Sequence, residues 1–199
     1  MEKIQLEHGI YIYKNVLPDS LSIIEELEDA VSKKLVDWIP SMVRTGEDVS
    51  TDTMIRNTDA IGVPYLGGVV EENFNTVHDA LYKTLNNVFY EAFNPCEVDY
   101  KSMFGVDTEW HDGWGILKYG KGQFFTSHID DNIAYPRRIS TVYYMNDDYE
   151  GGEICFNRHG LKIKPDKHDL LIFPSTYVYQ HEVLPVTSGT RYAVVGWLK

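Results

Sequence analysis

The chain has 199 residues, 43% of them hydrophobic, which is enough for a domain with a packed core. Thirty acidic against eighteen basic residues leave a formal net charge of −12, which argues against nucleic acid or an anionic membrane as partner and disfavours least a neutral or cationic substrate. Two cysteines, Cys96 and Cys155, form no disulfide framework and read as reduced side chains packed as small hydrophobes.

Met1-Glu2-Lys3-Ile4-Gln5 has neither the charged nor the apolar region of a signal peptide. No run reaches the roughly eighteen apolar residues of a membrane helix, so a soluble, cytoplasmic setting is expected. Gly9-Ile10-Tyr11-Ile12-Tyr13 reads as a short strand. Pro18, Asp19 and Ser20 then signal a helix running to Trp38. Its apolar stripe is Leu21, Ile24, Leu27, Val31 and Leu35, and Pro40 is its stop. A second helix is expected from Val70 to Phe93, with Phe74, Val77, Leu81, Leu85 and Val88 on one face and Asn94-Pro95 as terminator. Between the helices, the polar stretch 41–68 contains Gly46, Thr51, Asp52, Thr53, Arg56 and Asn57 with little periodicity. It reads as a substrate lid or a functional loop.

From Trp114 onward the pattern changes to short β runs: 114–119, 123–128, 139–145, 153–156, 161–164, 169–173, 178–184 and 190–198. Gly120-Lys121-Gly122, the acidic Gly-Gly segment 147–152 and Pro165-Asp166-Lys167 separate them. The predicted class is α+β and mainly β: a double-stranded β-helix, or jelly roll, of about eight antiparallel strands braced by helices on the outer face of one sheet. Nothing alternates as βαβ, which excludes a doubly wound sheet. The chain reads as one domain, with 1–100 as helical support and loop and 101–199 as catalytic core.

Within that core the informative residues are His128 and Asp130, then the distant His181, then Arg191 ten residues further on. On a strand, i and i+2 share a face, so His128 and Asp130 can converge on one ion while Ile129 and Asp131 point away. Two imidazoles and one carboxylate leave half an octahedron open, a set suited to Fe(II) with positions for reagents. A closed zinc site would need another Cys or His, and a calcium or magnesium site more carboxylates. A 2-oxo acid fills two open positions through its carboxylate and keto oxygen, and O2 takes the third. Arg191, on a strand with few other polar residues, is suited to hold the far carboxylate of 2-oxoglutarate by two parallel hydrogen bonds. The alternative is a structural pair with an acid. Alternation groups Ser140, Val142 and Tyr144 on one face of their strand and Thr141 and Tyr143 on the other, without saying which is inward. His8, His78, His111, His159 and His168 fall outside this pattern and read as surface or locally bonded side chains.

Leu117-Lys118-Tyr119-Gly120-Lys121-Gly122-Gln123 before Ser127-His128-Ile129-Asp130, the run Arg138–Asn146 before Gly151-Gly152-Glu153, and His181-Glu182-Val183 with Pro185-Val186, Gly189 and Arg191-Tyr192-Ala193 together resemble the 2-oxoglutarate/Fe(II)-dependent dioxygenases, specifically the prolyl 4-hydroxylase-like branch. The resemblance covers residues 110–199. It implies iron ligation by His128, Asp130 and His181 and a co-substrate anchor at Arg191, where collagen-type members have Lys and oxygen-sensing members Arg. It also implies that Tyr119, Tyr144 and Ser140 lie near the co-substrate, that Trp197 lines the pocket, and that Arg56 belongs to a loop over the site facing substrate. The reaction implied consumes O2 and 2-oxoglutarate, with ascorbate as reductant. It hydroxylates an unactivated C–H bond of a peptide, protein or small molecule, proline-containing by preference. Two other readings of the same barrel are a cupin-like isomerase or hydrolase with a redox-silent metal, and a binding module that the metal merely braces. Activity without O2 would mark the first, and tight metal retention without a response to 2-oxoglutarate the second.

Overall fold

The computed structural model describes residues 2–45, 48–64, 77–133 and 136–199. In chain order its elements are β1 (Lys3–Glu7), β2 (Ile10–Tyr13), α1 (Ser20–Ser32), β3 (Ile39–Pro40), β4 (Val43–Thr45), β5 (Asp48–Ser50), β6 (Arg56–Asn57), β7 (Asp59–Val63) and α2 (Val77–Phe104). There follow β8 (His111–Tyr119), β9 (Phe124–His128), β10 (Ile139–Tyr144), β11 (Glu150–Gly151), β12 (Ile154–Phe156), β13 (Leu161–Ile163), β14 (Leu170–Pro174), β15 (His181–Val183), β16 (Val186–Ser188) and β17 (Arg191–Leu198). A large sheet runs β1-β2-β14-β10-β17-β8-β7-β3, and a smaller one β13-β12-β15-β9-β6. The ribbons β11-β16 and β4-β5 complete the set. The pairings within both sheets are antiparallel, the arrangement of a jelly roll.

Side chains alternate across the large sheet and so build two cores. One face carries Tyr13, Ile61, Trp114, Ile116, Tyr143 and Val194 against Leu27 of α1 and Phe89 and Phe93 of α2. The other carries Ile12, Leu117, Val142, Tyr144, Ala193 and Val195 against Ile154, Phe156 and Val183 of the small sheet. The helices therefore brace the outer face, and Val142 and Tyr144 belong to the inward face of β10. Both cysteines are free and buried.

Four expectations are corrected. Helix α1 ends at Ser32 rather than Trp38, because Lys34 takes a left-handed φ of 57° and turns the chain. Past that turn Leu35 is exposed and Val36 enters the core, while Leu21, in the first turn of the helix, is exposed as well. Helix α2 runs through Pro95 to Phe104 instead of stopping at Asn94-Pro95. An internal proline costs about 3 kcal/mol. Beyond it, however, Cys96 and Tyr100 bury completely, and the Tyr100 hydroxyl donates to the Gly9 carbonyl at 2.7 Å. Burial of side chains this size returns roughly 1.5–3 kcal/mol each, which carries the helix across. Its buried stripe is Leu85, Phe89, Phe93, Cys96 and Tyr100; the expected start at Val70 and Phe74 lie outside the described residues.

The strand expected at Gly9–Tyr13 is β2, and the third correction is that the N-terminal support holds further strands: β1, β3 and β7 extend the large sheet with β2, and β6 extends the small one. The fourth concerns the stretch 41–68, of which 46–47 and 65–68 lie outside the described residues. Its remainder carries strands where little regular structure was expected. Strand β6 pairs with β9, β7 pairs with β8, and β4 and β5 pair with each other. Among the described residues no helix is long and apolar enough to cross a membrane.

Candidate active site

Two antiparallel registers position the site. His181 stands directly opposite His128, and their rings lie 4.3 Å apart between centroids. The β15–β9 ladder shifts register between His181 and Val183, a bulge of the kind that re-aims a side chain. Asp130 lies in the bend just after β9 rather than on the strand, yet it still turns inward. Its Oδ1 is 3.6 Å from His128 Nε2 and its Oδ2 3.8 Å from His181 Nε2. One donor atom from each of the three residues lies within 4.8 Å of the others. Asp131 points elsewhere, accepting from the Arg137 backbone N–H at 3.1 Å.

The surroundings prepare these donors. His128 Nδ1 is 2.8 Å from the Thr126 carbonyl and His181 Nδ1 is 3.0 Å from the Tyr179 carbonyl. A carbonyl can only accept, so both imidazoles carry a proton on Nδ1 and turn Nε2 toward Asp130. Burial, then the neighbouring His128, push His181 down to about 4, so it is a neutral donor near pH 7. Burial by itself would raise Asp130. The His181 and His128 imidazoles and the Ser140 hydroxyl outweigh it and hold the carboxyl well below the usual range. Ser140 Oγ donates to Asp130 Oδ2 at 2.7 Å and is itself 2.7 Å from the Ser175 hydroxyl. Two imidazoles and one carboxylate, each fixed from behind, form a donor set suited to Fe(II).

The second register sets Arg191 opposite Tyr119, with Tyr144 opposite Ala193 and so diagonal to the arginine. The guanidinium lies 4.8 Å from the Tyr119 ring centre and 5.0 Å from that of Tyr144. Arg191 is 1% exposed, and among the described residues no carboxylate pairs with it. Its Nε and Nη1, and the hydroxyls of Tyr144 and Tyr149, are buried without a hydrogen-bond partner. A buried cation so arranged is costly unless an anion completes it. The orphaned donors fit a carboxylate of a bound dicarboxylic acid, and Arg191 and the three metal-ligand candidates line one pocket. Gly152 keeps the space open: at its φ of +65° a Cβ would come within 3.1 Å of Arg191 Cδ.

The remaining expected residues fall as follows. Ser140 bonds the metal-side carboxylate. Trp197, opposite Ser140 across β10–β17, lines the pocket beneath the Arg137 guanidinium at 3.6 Å. Arg56 stands at the pocket wall, 4.7 Å above the Phe125 ring, which stacks on His128 at 3.5 Å and 13°. Sequence reasoning missed Phe125, Ser175 and Tyr149. Tyr149 had a usable signal, its place just before Glu150-Gly151-Gly152. Phe125 and Ser175 act through register and loop contact, which no local pattern announces.

Residues 114–199 match the 2OG-Fe(II) oxygenase superfamily. A PKHD-type hydroxylase of Prochlorococcus marinus is 39% identical over 95 residues, covering 44% of this chain and 41% of that protein. One of Idiomarina loihiensis is 31% identical over 90 residues, covering 42% and 40%, so these matches span about two fifths of each relative's length. A PKHD-type hydroxylase of Xanthomonas campestris is 26% identical over 196 residues, covering 92% of the chain and 74% of the relative. Among solved structures, a Pseudomonas putida prolyl-4-hydroxylase superposes with a TM-score of 0.68 at 18% identity, covering 96% of this chain and 92% of that one. A Trichoplax adhaerens prolyl hydroxylase, solved with a hypoxia inducible factor peptide fragment, gives 0.66 at 18% identity, covering 96% and 83%.

Proposed function

We propose that this chain, whose residues 114–199 match the 2OG-Fe(II) oxygenase superfamily and whose fold is that of a solved prolyl-4-hydroxylase, is a dioxygenase that hydroxylates a peptide or protein residue, proline by preference. His128, Asp130 and His181 hold Fe(II), and Arg191 anchors 2-oxoglutarate. The observation that carries this is the cluster of two imidazoles and one carboxylate in the same pocket as a buried arginine whose Nε and Nη1 have no hydrogen-bond partner. When bound, the iron supplies O2 activation, with 2-oxoglutarate leaving as succinate and CO2.

The chain's own residues do the rest. Tyr179 and Thr126 carbonyls fix the two imidazole tautomers. Ser140 and Ser175 orient the carboxylate. Arg191, with the Tyr144 and Tyr149 hydroxyls, receives the distal carboxylate of the co-substrate and fixes which way its keto end points. Leu117, Val142, Ile154 and Val183 surround the pocket with apolar surface that limits water. Hydroxylation is favoured by the PKHD-type hydroxylase relatives, and a peptide substrate by the peptide fragment in the Trichoplax structure.

The test is incubation with Fe(II), ascorbate, 2-oxoglutarate, O2 and a proline-containing peptide library, read by succinate release and a +16 mass product. Both are expected in the wild type, and both vanish in Asp130→Ala, which removes the one anionic ligand. Unchanged succinate release in that variant would overturn the metal assignment, and turnover without O2 would favour a redox-silent hydrolase.

A further inference from the structure

Beside the pocket of the His128–Asp130–His181 cluster lies a second, more open cavity of about 370 Å³. The two share Arg56, Leu117, Val195 and Trp197 as walls, so a ligand in the wider groove can present an atom to the metal side. The charge of this groove runs against that of the chain. The whole molecule carries −12. Yet the one acid among the described lining residues, Asp112, is held between Arg137 Nε at 3.1 Å and Lys199 Nζ at 2.6 Å. Arg56 has no such partner among the described residues. Its Nε is buried without a hydrogen bond, and its Nη1 reaches the Met42 carbonyl at 3.3 Å.

Arg56 is also tied mechanically to the metal side. It pairs across β6–β9 with Phe125, lies over that ring, and the ring lies flat on His128. Guanidinium, phenyl and imidazole thus form a three-layer stack. Stacking on an aromatic face is a modest attraction at a partly exposed site and satisfies none of the N–H groups. A fork with unused donors in a groove of net positive charge is completed by an anion, and arginine geometry suits a carboxylate. The far acidic surface does not oppose this, since charges beyond about 8 Å are screened at physiological salt. Ile39 and Met42, 51% and 53% exposed, give the same groove an apolar rim.

We propose that Arg56 is a specificity-determining residue that receives a substrate carboxylate: an Asp or Glu side chain of a peptide lying in this groove. This assignment deepens, and rests on, the reading of the chain as a peptidyl hydroxylase.

The experiment uses the full chain and a synthetic peptide library randomised on both sides of a central proline, with the +16 products sequenced by mass spectrometry. Wild-type products are expected to be enriched in Asp or Glu at one position by about tenfold to a hundredfold, the range of a charge-assisted hydrogen bond. The enrichment disappears in Arg56→Gln and turns toward Lys or Arg in Arg56→Glu. Arg56→Lys, which keeps the charge without the fork, retains part of it and serves where Arg56→Gln does not fold. A thermal shift on adding metal and 2-oxoglutarate establishes that each variant is folded. Wild-type products without acidic enrichment, or an enrichment that survives Arg56→Gln, overturn the assignment. A wild type that makes no +16 product overturns the hydroxylase reading beneath it.

Discussion

At the residue scale, Arg191 is in an unusual energetic position. It is fully buried, has no acidic partner among the described residues, and leaves two N–H groups unbonded. Such a group contributes to ligand affinity and little to stability, because its charge is compensated when a dicarboxylate is present. Arg191→Met is therefore expected to raise the 2-oxoglutarate concentration needed for half-maximal turnover by about tenfold to a hundredfold. Metal binding persists, and the ligand-free protein melts at the same temperature or above. Isothermal titration and a thermal scan check both halves. A large drop in ligand-free melting temperature would mark Arg191 as a structural residue instead. Ser140 has a different character: its hydroxyl contacts Asp130 and Ser175 at 2.7 Å each, so it is placed to orient the candidate metal-side carboxylate.

At the element scale, α2 and the β9–β15 ladder show local preference yielding to packing. Pro95 sits within a helix of 28 residues. It removes one backbone hydrogen bond there, and the burial of Cys96 and Tyr100 beyond it outweighs the loss. Pro95→Ala is expected to stabilise the protein by on the order of 1 kcal/mol, since the restored bond exceeds the chain entropy that proline removes from the unfolded state. The urea midpoint reads this; an unchanged or lower midpoint would mean that the proline itself contributes to the fold as much as the restored bond would. The ladder makes a different point. Strand β15 is only three residues long, and a 3-10 turn over Tyr177–Tyr179 precedes it. That turn presents the Tyr179 carbonyl to His181, so an irregular element fixes the tautomer of a metal-ligand candidate.

At the scale of the whole molecule, the site joins the two sheets. His128 and His181 come from the small sheet, whereas Ser140 and Arg191 come from the large one. Ligands that engage both sheets stabilise the native state by about 2.7 kcal/mol at a hundredfold excess over their dissociation constant. Removing the metal with a chelator is expected to lower the melting temperature accordingly. The metal-free protein should also lose stability as pH falls. His181 is depressed to about 4 in the folded chain, against about 6.5 when unfolded. Between those values the unfolded state binds a proton that the native state does not. Stability is thus fully present above about 6.5 and declines toward pH 4, by on the order of 3 kcal/mol in total. Denaturant titrations across that window check the slope. A slope that persists unchanged in His181→Leu would assign it to another group.

The hydrophobic alternation and turn residues after Trp114 made the jelly-roll strands legible, because a period of two is written directly into a strand. The set His128, Asp130, His181 and Arg191 was legible for the same kind of reason: few buried positions tolerate such groups without a purpose. Tertiary packing decided the rest. Whether Tyr143 or Tyr144 faced inward depended on which side of β10 the helices covered. Whether Pro95 ended its helix depended on the burial available past it. The stack of Arg56, Phe125 and His128 depended on the register between β6 and β9, strands far apart in sequence. Local patterns report what each residue prefers; only the folded chain determines which preferences meet, because long-range pairing is set by the burial of both partners together.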